Sequence, residues 1–393
     1  MPVLEPTESM HSPDDRYDVV VVGVGGMGSA TTAHLAERGL DVLGLERYDI
    51  PHTMGSSHGI TRIIRRAYYE HPSYIPLIER AYDLWDELAA ETDREIIRRT
   101  GSIDAGPEDT VVFEGSLRSC EQHDIPHEVL TSEEVTERFP GYRLPEGYKA
   151  LYQPDGGFVV PEQSIIGHVE TAQAAGADVR ARERVHDWEP TPAGGVRVET
   201  DRGTYDASAL VLAAGAWNYK FADELDGLAV PERQVLGWFQ PERPSTFEPD
   251  NFPVWNLQIP EGRFYGLPIY DVPGFKIGKY HHRDERVDPD AYETDPDRDD
   301  ERLLREVVAN YFPEAGGPTM RLATCMFTNS PDEHFILDTL PDHPQVAVGA
   351  GFSGHGFKFA SVIGEILADL AVDGETDHPI DMFRLDRFDD GPG

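Results

Sequence analysis

Six residues, Gly23-Val24-Gly25-Gly26-Met27-Gly28, constrain this chain more than any other stretch, because an apolar β-branched run ends where they begin and an alanine-rich run starts where they end. Tyr17 to Val22 (YDVVVV) reads as a short strand, SATTAHLAERG as a helix closed by Gly39, and Val42 to Leu45 as a second strand. Strand, turn, helix and strand make the first βαβ unit of a doubly wound α/β sheet. Glycines at 23, 25 and 28 permit the tight turn and let a pyrophosphate approach the helix N-terminus. Glu46, 23 residues beyond Gly23 at the end of the second strand, is placed to accept from ribose hydroxyls. Glycines also simply close turns, so the motif gains its weight from having strand, helix and acid in register. It specifies a dinucleotide without choosing between FAD and NAD.

A length of 393 residues exceeds one typical domain, so two domains are expected, and a hydrophobic fraction of 39% is ordinary for a packed core. Charge is not ordinary: 72 acidic residues face 34 basic ones, a formal net charge of −38. Such a field repels nucleic acid and anionic membranes. The acids are spread along the chain, and only five lysines remain (Lys149, Lys220, Lys276, Lys279 and Lys358), the pattern of a solvated shell suited to a halophilic cytoplasm. Unfolding followed against KCl tests that expectation, and undiminished stability in dilute buffer counts against it. No stretch approaches the roughly 20 apolar residues of a membrane span, and the start MPVLEPTESMHSPDD lacks the pattern of a secretion signal, so a cytoplasmic protein is expected. Cys120 and Cys325 are too few for a disulfide framework and are expected as thiols.

Further along, Leu77, Ile78, Ala81, Leu84, Trp85 and Leu88 trace one face of a helix over Tyr74 to Leu88, a core stripe. The middle of the chain carries short strand candidates at Phe264 to Tyr270 and Phe275 to Tyr280, separated by the turn Asp271-Val-Pro-Gly274. It reads as a mainly antiparallel domain. ALVLAAGAW (Ala209 to Trp217) reads as a buried strand ending in small residues, and the C-terminal QVAVGAGFSGHGFKFASVIGEILADLAV as strand, Gly-rich turn and helix. The expected fold is therefore α/β, α+β overall, with a discontinuous dinucleotide-binding domain of Rossmann type (16–90, 155–225 and 325–388). A second, mainly antiparallel β-sheet substrate domain takes 91–154 and 226–324, and residues 1–15 form a flexible extension.

Two later segments carry chemistry. PHTMGSSHGITRIIRRAYYE (Pro51 to Glu70) leads a Gly/Ser/His loop into three arginines. An arginine cluster in an acidic protein commonly serves salt bridges, yet Arg62 and Arg65, three apart, would share one helix face and present two cations to an anionic ligand. In GAGFSGHGFKFASVIGEIL the glycines at 349, 351, 354 and 356 let backbone amides crowd a ligand. Lys358 then falls in the first turn of a helix, where the macrodipole disfavours a cation. A local rule broken without evident compensation tends to mark a functional site. Lys276, alternating with Phe275 and Ile277, reads equally as a solvent-facing strand residue. His281-His282 lacks further ligands at zinc spacing, neither cysteine sits in a CxxC, and Gly351-Phe-Ser353-Gly-His355 misses the hydrolase nucleophile elbow.

Taken together, PHTMGSSHGITRIIRRAY, TCMFTNSPDEHFILD and GFSGHGFKFAS closely resemble the monomeric sarcosine oxidase and N-methyltryptophan oxidase family, from about Tyr17 to Phe388. The resemblance implies a two-domain fold like that of D-amino-acid oxidase and an FAD held covalently through an 8α-S-cysteinyl link at Cys325. It implies substrate-carboxylate cations at Arg65 and Lys358, a basic residue beside the flavin at Arg62, a flavin-side histidine at His58 and an oxygen-activating lysine at Lys276. Tyr265 matches a substrate-site tyrosine, and Gly354 matches backbone touching substrate and flavin. With Gly23, Gly25, Gly28 and Glu46, cofactor contacts are expected at Arg47, Ser56, Gly215, His355 and Gly356. Two departures stand out. The sarcosine-site tyrosine is Phe327 here, and GFKIGKYHH carries one extra residue where a family histidine is expected, His281 being its counterpart with Tyr280 as the alternative.

The reaction implied is oxidation of a small N-methylated amino acid by O2 to the demethylated amino acid, an aldehyde and hydrogen peroxide, carried out by a monomer. N-methyltryptophan, pipecolate or glycine as substrate changes only the pocket. A nicotinamide dehydrogenase would share the glycine motif but not the Cys325 and FSGHGFK motifs. A flavin-binding structural or regulatory protein would be yellow without turnover.

Overall fold

The computed structural model describes residues 16–388, so the expected N-terminal extension, 1–15, lies outside the described residues. Two eight-stranded sheets dominate. In the first, Arg16–Val22 pairs in parallel with Val42–Leu45 on one side and Thr204–Leu212 on the other, and Val42–Leu45 pairs in parallel with Asp178–Arg180. Val19 to Val22 are all buried, as strands covered on both faces require. Thr204–Leu212 is shared along its length: its first half pairs antiparallel with Val196–Thr200, its second half in parallel with His343–Ala350. The glycine turn leads into helix Gly26–Glu37, and Gly39 at φ +81° follows its end. That helix packs on helix Ala360–Asp373 so closely that a Cβ at Gly364 would lie 2.4 Å from Ala30 Cβ.

The second sheet runs Thr319–Asn329, Val230–Phe239, Phe275–Lys279, Gly262–Leu267, Val254–Ile259, Ser102–Gly106, Lys149–Gln153, Glu128–Thr131. Every neighbouring pair is antiparallel except Val254–Ile259 with Ser102–Gly106. Helix Arg298–Tyr311 covers it, opened by a capping box in which Asp297 accepts from the Asp299 and Asp300 amides. Cys325 lies within Thr319–Asn329, so the boundary drawn at 325 cuts a strand of the antiparallel sheet. Helix Ile75–Thr92 buries the expected stripe, Leu77, Ile78, Ala81, Leu84, Trp85 and Leu88.

Two local expectations give way. Arg62 and Arg65 share no helix: Arg62–Ile64 is a strand, paired antiparallel with Gly157–Val159, and Arg65 lies just beyond it. The β-branched Ile63-Ile64 pair suits that strand, and its partner lies about a hundred residues away, beyond any local periodicity. Lys358 sits in a short 3-10 turn, Phe357–Phe359, that precedes helix Ala360–Asp373. Among the described residues no helix is long and apolar enough to cross a membrane.

Candidate active site

A cavity of about 310 Å³ lies between the sheets. Among the expected residues, Gly23, Gly25, Glu46, Arg47, Ser56, Arg62, Gly215, Tyr265, Cys325, Phe327, Gly354, His355, Gly356 and Lys358 line it. Gly28 stands just behind, where a Cβ would come within 1.8 Å of the Gly23 carbonyl oxygen, and Gly23 itself has φ +92°. Only glycine closes this turn. The Glu46 carboxylate accepts from the Val24 and Tyr48 amides, each at 3.0 Å. Burial alone would raise its pKa, but His52 and these amides hold it below the usual range. A bare glycine cradle at a helix N-terminus with a fixed, ionised acid at the next strand end fits a dinucleotide. Arg47 lies over the Tyr48 and Trp217 rings and ion-pairs with Asp290 at 2.8 Å.

Cys325 is buried, with Sγ 3.7 Å from Arg62 Nη2 and 3.6 Å from the Ser56 carbonyl oxygen. Arg62 donates to that same carbonyl at 2.8 Å and to Thr61 O at 3.0 Å. Hence a thiol and a guanidinium meet on the cavity wall, one carried by the antiparallel sheet and one by the loop strand. His58 is buried with, among the described residues, no hydrogen-bond partner for either ring nitrogen, and burial, then Arg62 and Lys276, lowers its pKa to about 3. His58 lies behind the cavity wall and not on it. Cys120, by contrast, lies in the core of helix Val111–Gln122, where burial pushes its thiol up to about 12.

Lys276 does not face the cavity. Its ammonium is held behind the wall by the carbonyls of Gly59 (2.8 Å) and Thr61 (2.6 Å) and by Thr61 Oγ1 (3.2 Å). Burial and the nearby Arg62 lower its pKa well below the usual lysine range. The solvent-facing reading of Lys276 is thus excluded, since the residue is 1% exposed.

On the substrate side, Tyr265 and Tyr280 meet edge to face with centroids 5.3 Å apart, and Tyr280 lies 5.8 Å from Phe327. Gly354, at φ +78°, packs so tightly on Phe327 that a Cβ would fall 2.4 Å from a ring carbon. Lys358 donates to His355 O at 2.7 Å, and burial lowers its pKa to about 7. His355 Nε2 meets the Glu333 carbonyl at 2.9 Å, which can only accept, so Nε2 carries the proton and Nδ1 accepts from Tyr68 Oη at 2.5 Å. Arg65 is fully enclosed and ion-paired, to Glu70 at 2.9 Å and Asp104 at 3.7 Å. Glu70 would be raised by burial, but Arg65 holds its pKa at about 2. Arg65 and Lys358 are therefore neighbours through Glu70, whose charge also acts on Lys358.

Of the two alternatives at the extra residue, Tyr280 lines the cavity. His281, at φ +51°, turns to Glu232 (2.8 Å) and Glu333 (3.1 Å), which raise its pKa to about 9. Glu232, His281 and Asp284 approach within 4.8 Å of one another, but the imidazole is already spent on the two glutamates. Sequence reasoning also passed over Thr61, which grips Lys276, and Glu162, whose carboxylate holds the Gly59 and Ile60 amides. The acid at a helix start was visible, its reach to residue 59 was not.

A glycine cradle joined to a buried thiol and a cation-rich, aromatic pocket defines a flavin-dependent oxidoreductase. Residues 18–370 match the family model described as DAO, FAD dependent oxidoreductase, and the chain belongs to that family. It is 40% identical over 377 residues to a monomeric sarcosine oxidase of Bacillus sp. (strain B-0618), covering 95% of this chain and 96% of that one. It is 37% identical over 385 residues to an N-methyl-L-tryptophan oxidase of Escherichia coli O139:H28, covering 95% and 100%. Among solved structures it is similar to NikD, an unusual amino acid oxidase essential for nikkomycin biosynthesis, with TM-score 0.81, 31% identity and coverage of 94% and 97%. L-Proline dehydrogenase from P. horikoshii shares the fold at TM-score 0.83 and 21% identity, over 96% and 98% of the chains.

Proposed function

We propose that this enzyme oxidises the C–N bond of small N-methylated amino acids, sarcosine or a close relative, with O2 as acceptor. The observation that carries the reading is the meeting, in one cavity wall, of the glycine cradle with Lys358 and the Tyr265, Tyr280 and Phe327 rings. The names of the relatives support it. Gly23, Gly25, Glu46, Arg47, Ser56 and Gly215 would hold the dinucleotide, and Cys325 would hold the flavin covalently as a cysteinyl thioether. Bound there, FAD supplies the two-electron acceptor whose electrons end on O2 as hydrogen peroxide.

The protein supplies position and charge. Arg65 and Lys358 clamp the substrate carboxylate, which requires Arg65 to exchange a carboxylate partner, and the clamp orients the N-methyl group. Tyr265, Tyr280 and Phe327 exclude water from the reacting carbon. The resulting imine hydrolyses to the demethylated amino acid and an aldehyde, glycine and formaldehyde in the case of sarcosine. Arg62 neighbours Cys325, His58 lies near Arg62 and Lys276, and Lys276 provides the positive charge that favours electron transfer to O2. Phe327 and Tyr280 bear on a second reading, a bulkier N-methyl amino acid, because the pocket presents one hydroxyl at Tyr280 and none at Phe327.

In this reading the enzyme works as a cytoplasmic monomer adapted to high salt, with the first sheet and its helices as the FAD-binding domain and the second as the substrate domain. Peroxide release in high salt with sarcosine, N-methyltryptophan, N-methylalanine, proline and pipecolate tests the activity: sarcosine or another N-methyl amino acid should lead, and silence from all N-methyl compounds sinks the proposal. Acid precipitation tests the attachment. Wild-type flavin should stay with the pellet and flavin of the Cys325→Ser variant should not.

A further inference from the structure

The turn that grips Lys276 is itself under constraint. Thr61 N–H donates to Gly59 O at 2.9 Å across Ile60, which has φ +76°, while Gly59 has φ +95°. That is a γ-turn of the rare, strained hand, and Ile60 is β-branched, the residue type least suited to positive φ. Strained backbone persists only where its surroundings over-determine it. The determinant here is Glu162, in the first turn of helix Pro161–Ala174, where the macrodipole favours a carboxylate. Its Oε1 accepts from Gly59 N–H at 2.8 Å and from Ile60 N–H at 3.0 Å. Its Oε2 is buried and, among the described residues, has no hydrogen-bond partner.

Geometry links this carboxylate to the site. Gly59 receives Glu162 on its amide and Lys276 on its carbonyl, so one residue stands between the two charges. Thr61, which supplies the other two Lys276 contacts, is the end of the same turn and lines the cavity beside Arg62. A Cβ at Gly59 would lie 2.9 Å from Leu236 Cδ1 and 3.2 Å from Arg62 Nη1, so the turn is packed closely against both.

We propose that Glu162 is a positioning residue for the oxygen half of the reaction, holding the Gly59–Thr61 turn whose carbonyls fix the Lys276 ammonium at the flavin-side wall. The inference rests on the assignment of Lys276 to the oxygen step. Besides burial, Arg62 and Arg321 push the pKa of Lys276 down and Glu162 pulls it back, while Cys325 carries no charge once it is joined to flavin. Glu162 therefore bears both on where the ammonium sits and on the pH up to which it survives.

The test uses holoenzyme reduced with dithionite and mixed with O2, which makes it independent of the substrate. Glu162→Ala should reoxidise about tenfold or more slowly, the scale of a misplaced reacting group, while its anaerobic reduction by sarcosine stays near wild type. Glu162→Gln keeps an acceptor for both amides and should recover most of the rate. With the negative charge gone, its reoxidation should fall away at lower pH than in wild type. Glu162→Ala reoxidising at the wild-type rate overturns the proposal. Should that variant fail to retain flavin, Glu162→Gln decides: an unmoved pH profile overturns it. Lys276→Met run in parallel separates the two assignments, because a normal rate there removes the role of Lys276, whereas a slow Lys276→Met beside a normal Glu162→Ala removes only that of Glu162.

Discussion

Arg65 and Lys276 are both 1% exposed, and the protein treats the two cations in opposite ways. Arg65 is neutralised by two carboxylates, Glu70 and Asp104. Among the described residues Lys276 hydrogen-bonds only to neutral oxygens, those of Gly59 and Thr61, with Glu162 on the far side of Gly59. The first arrangement stabilises a charge with charges of opposite sign. The second leaves a charge uncompensated, so it can act on whatever negative charge develops nearby. A buried guanidinium and a buried ammonium thus differ here in their partners more than in their burial. Lys358 lies between these cases, with one carbonyl partner and Glu70 near enough to act on it.

The largest effect should come from breaking the neutralised pair. Arg65→Met strands two buried carboxylates and should cost about 3–5 kcal/mol in urea unfolding. A Lys276→Met protein, which strands two carbonyls and a hydroxyl, should lose about 1–3 kcal/mol by the same measurement. If the two unfold alike, the contrast is false. On rate rather than stability, Lys276→Met should lose roughly 10²–10³-fold in reoxidation, followed by stopped-flow absorbance, with reduction by substrate intact. Next in size is the pH dependence of Lys358. Its pKa, lowered to about 7 in the folded protein, leaves the ammonium present below neutrality and lost above it. kcat/KM for the amino acid should therefore fall as pH rises through about 7, and Lys358→Met should remove that limb. The smallest effect belongs to Phe327→Tyr, which adds one hydroxyl beside Gly354 and should shift the ratio of kcat/KM for sarcosine and N-methyltryptophan by about 1 kcal/mol.

Local signals carried the nucleotide end and failed where pairing is long-range. Gly23, Gly25, Gly28 and Glu46 were legible because turn, helix N-terminus and acid all lie within one βαβ unit. The same applies to the stripe of helix Ile75–Thr92. Arg62 misled, since three-residue spacing suggests a helix while the segment pairs as a strand with Gly157–Val159. Lys358 lines the cavity, although its turn is 3-10 rather than the expected first turn of the α-helix. Tyr280 could not be separated from His281 because one inserted residue alternates which side chain points inward, and only Glu232 and Glu333, 49 and 52 residues away, show where the histidine goes. No periodicity announces a carboxylate that serves a turn 103 residues earlier, as Glu162 does.

The scarcity of sulfhydryls gives this chain a built-in stoichiometer. It has two cysteines, one in the core of helix Val111–Gln122 and one in the cavity wall. Once the chain is denatured without reductant, a chromogenic thiol reagent reports occupancy directly. Under the proposed thioether, one titratable group per polypeptide means that every Cys325 is joined to flavin, a fraction between one and two gives the degree of attachment in a preparation without any assay of turnover, and two groups in the yellow protein remove the covalent proposal.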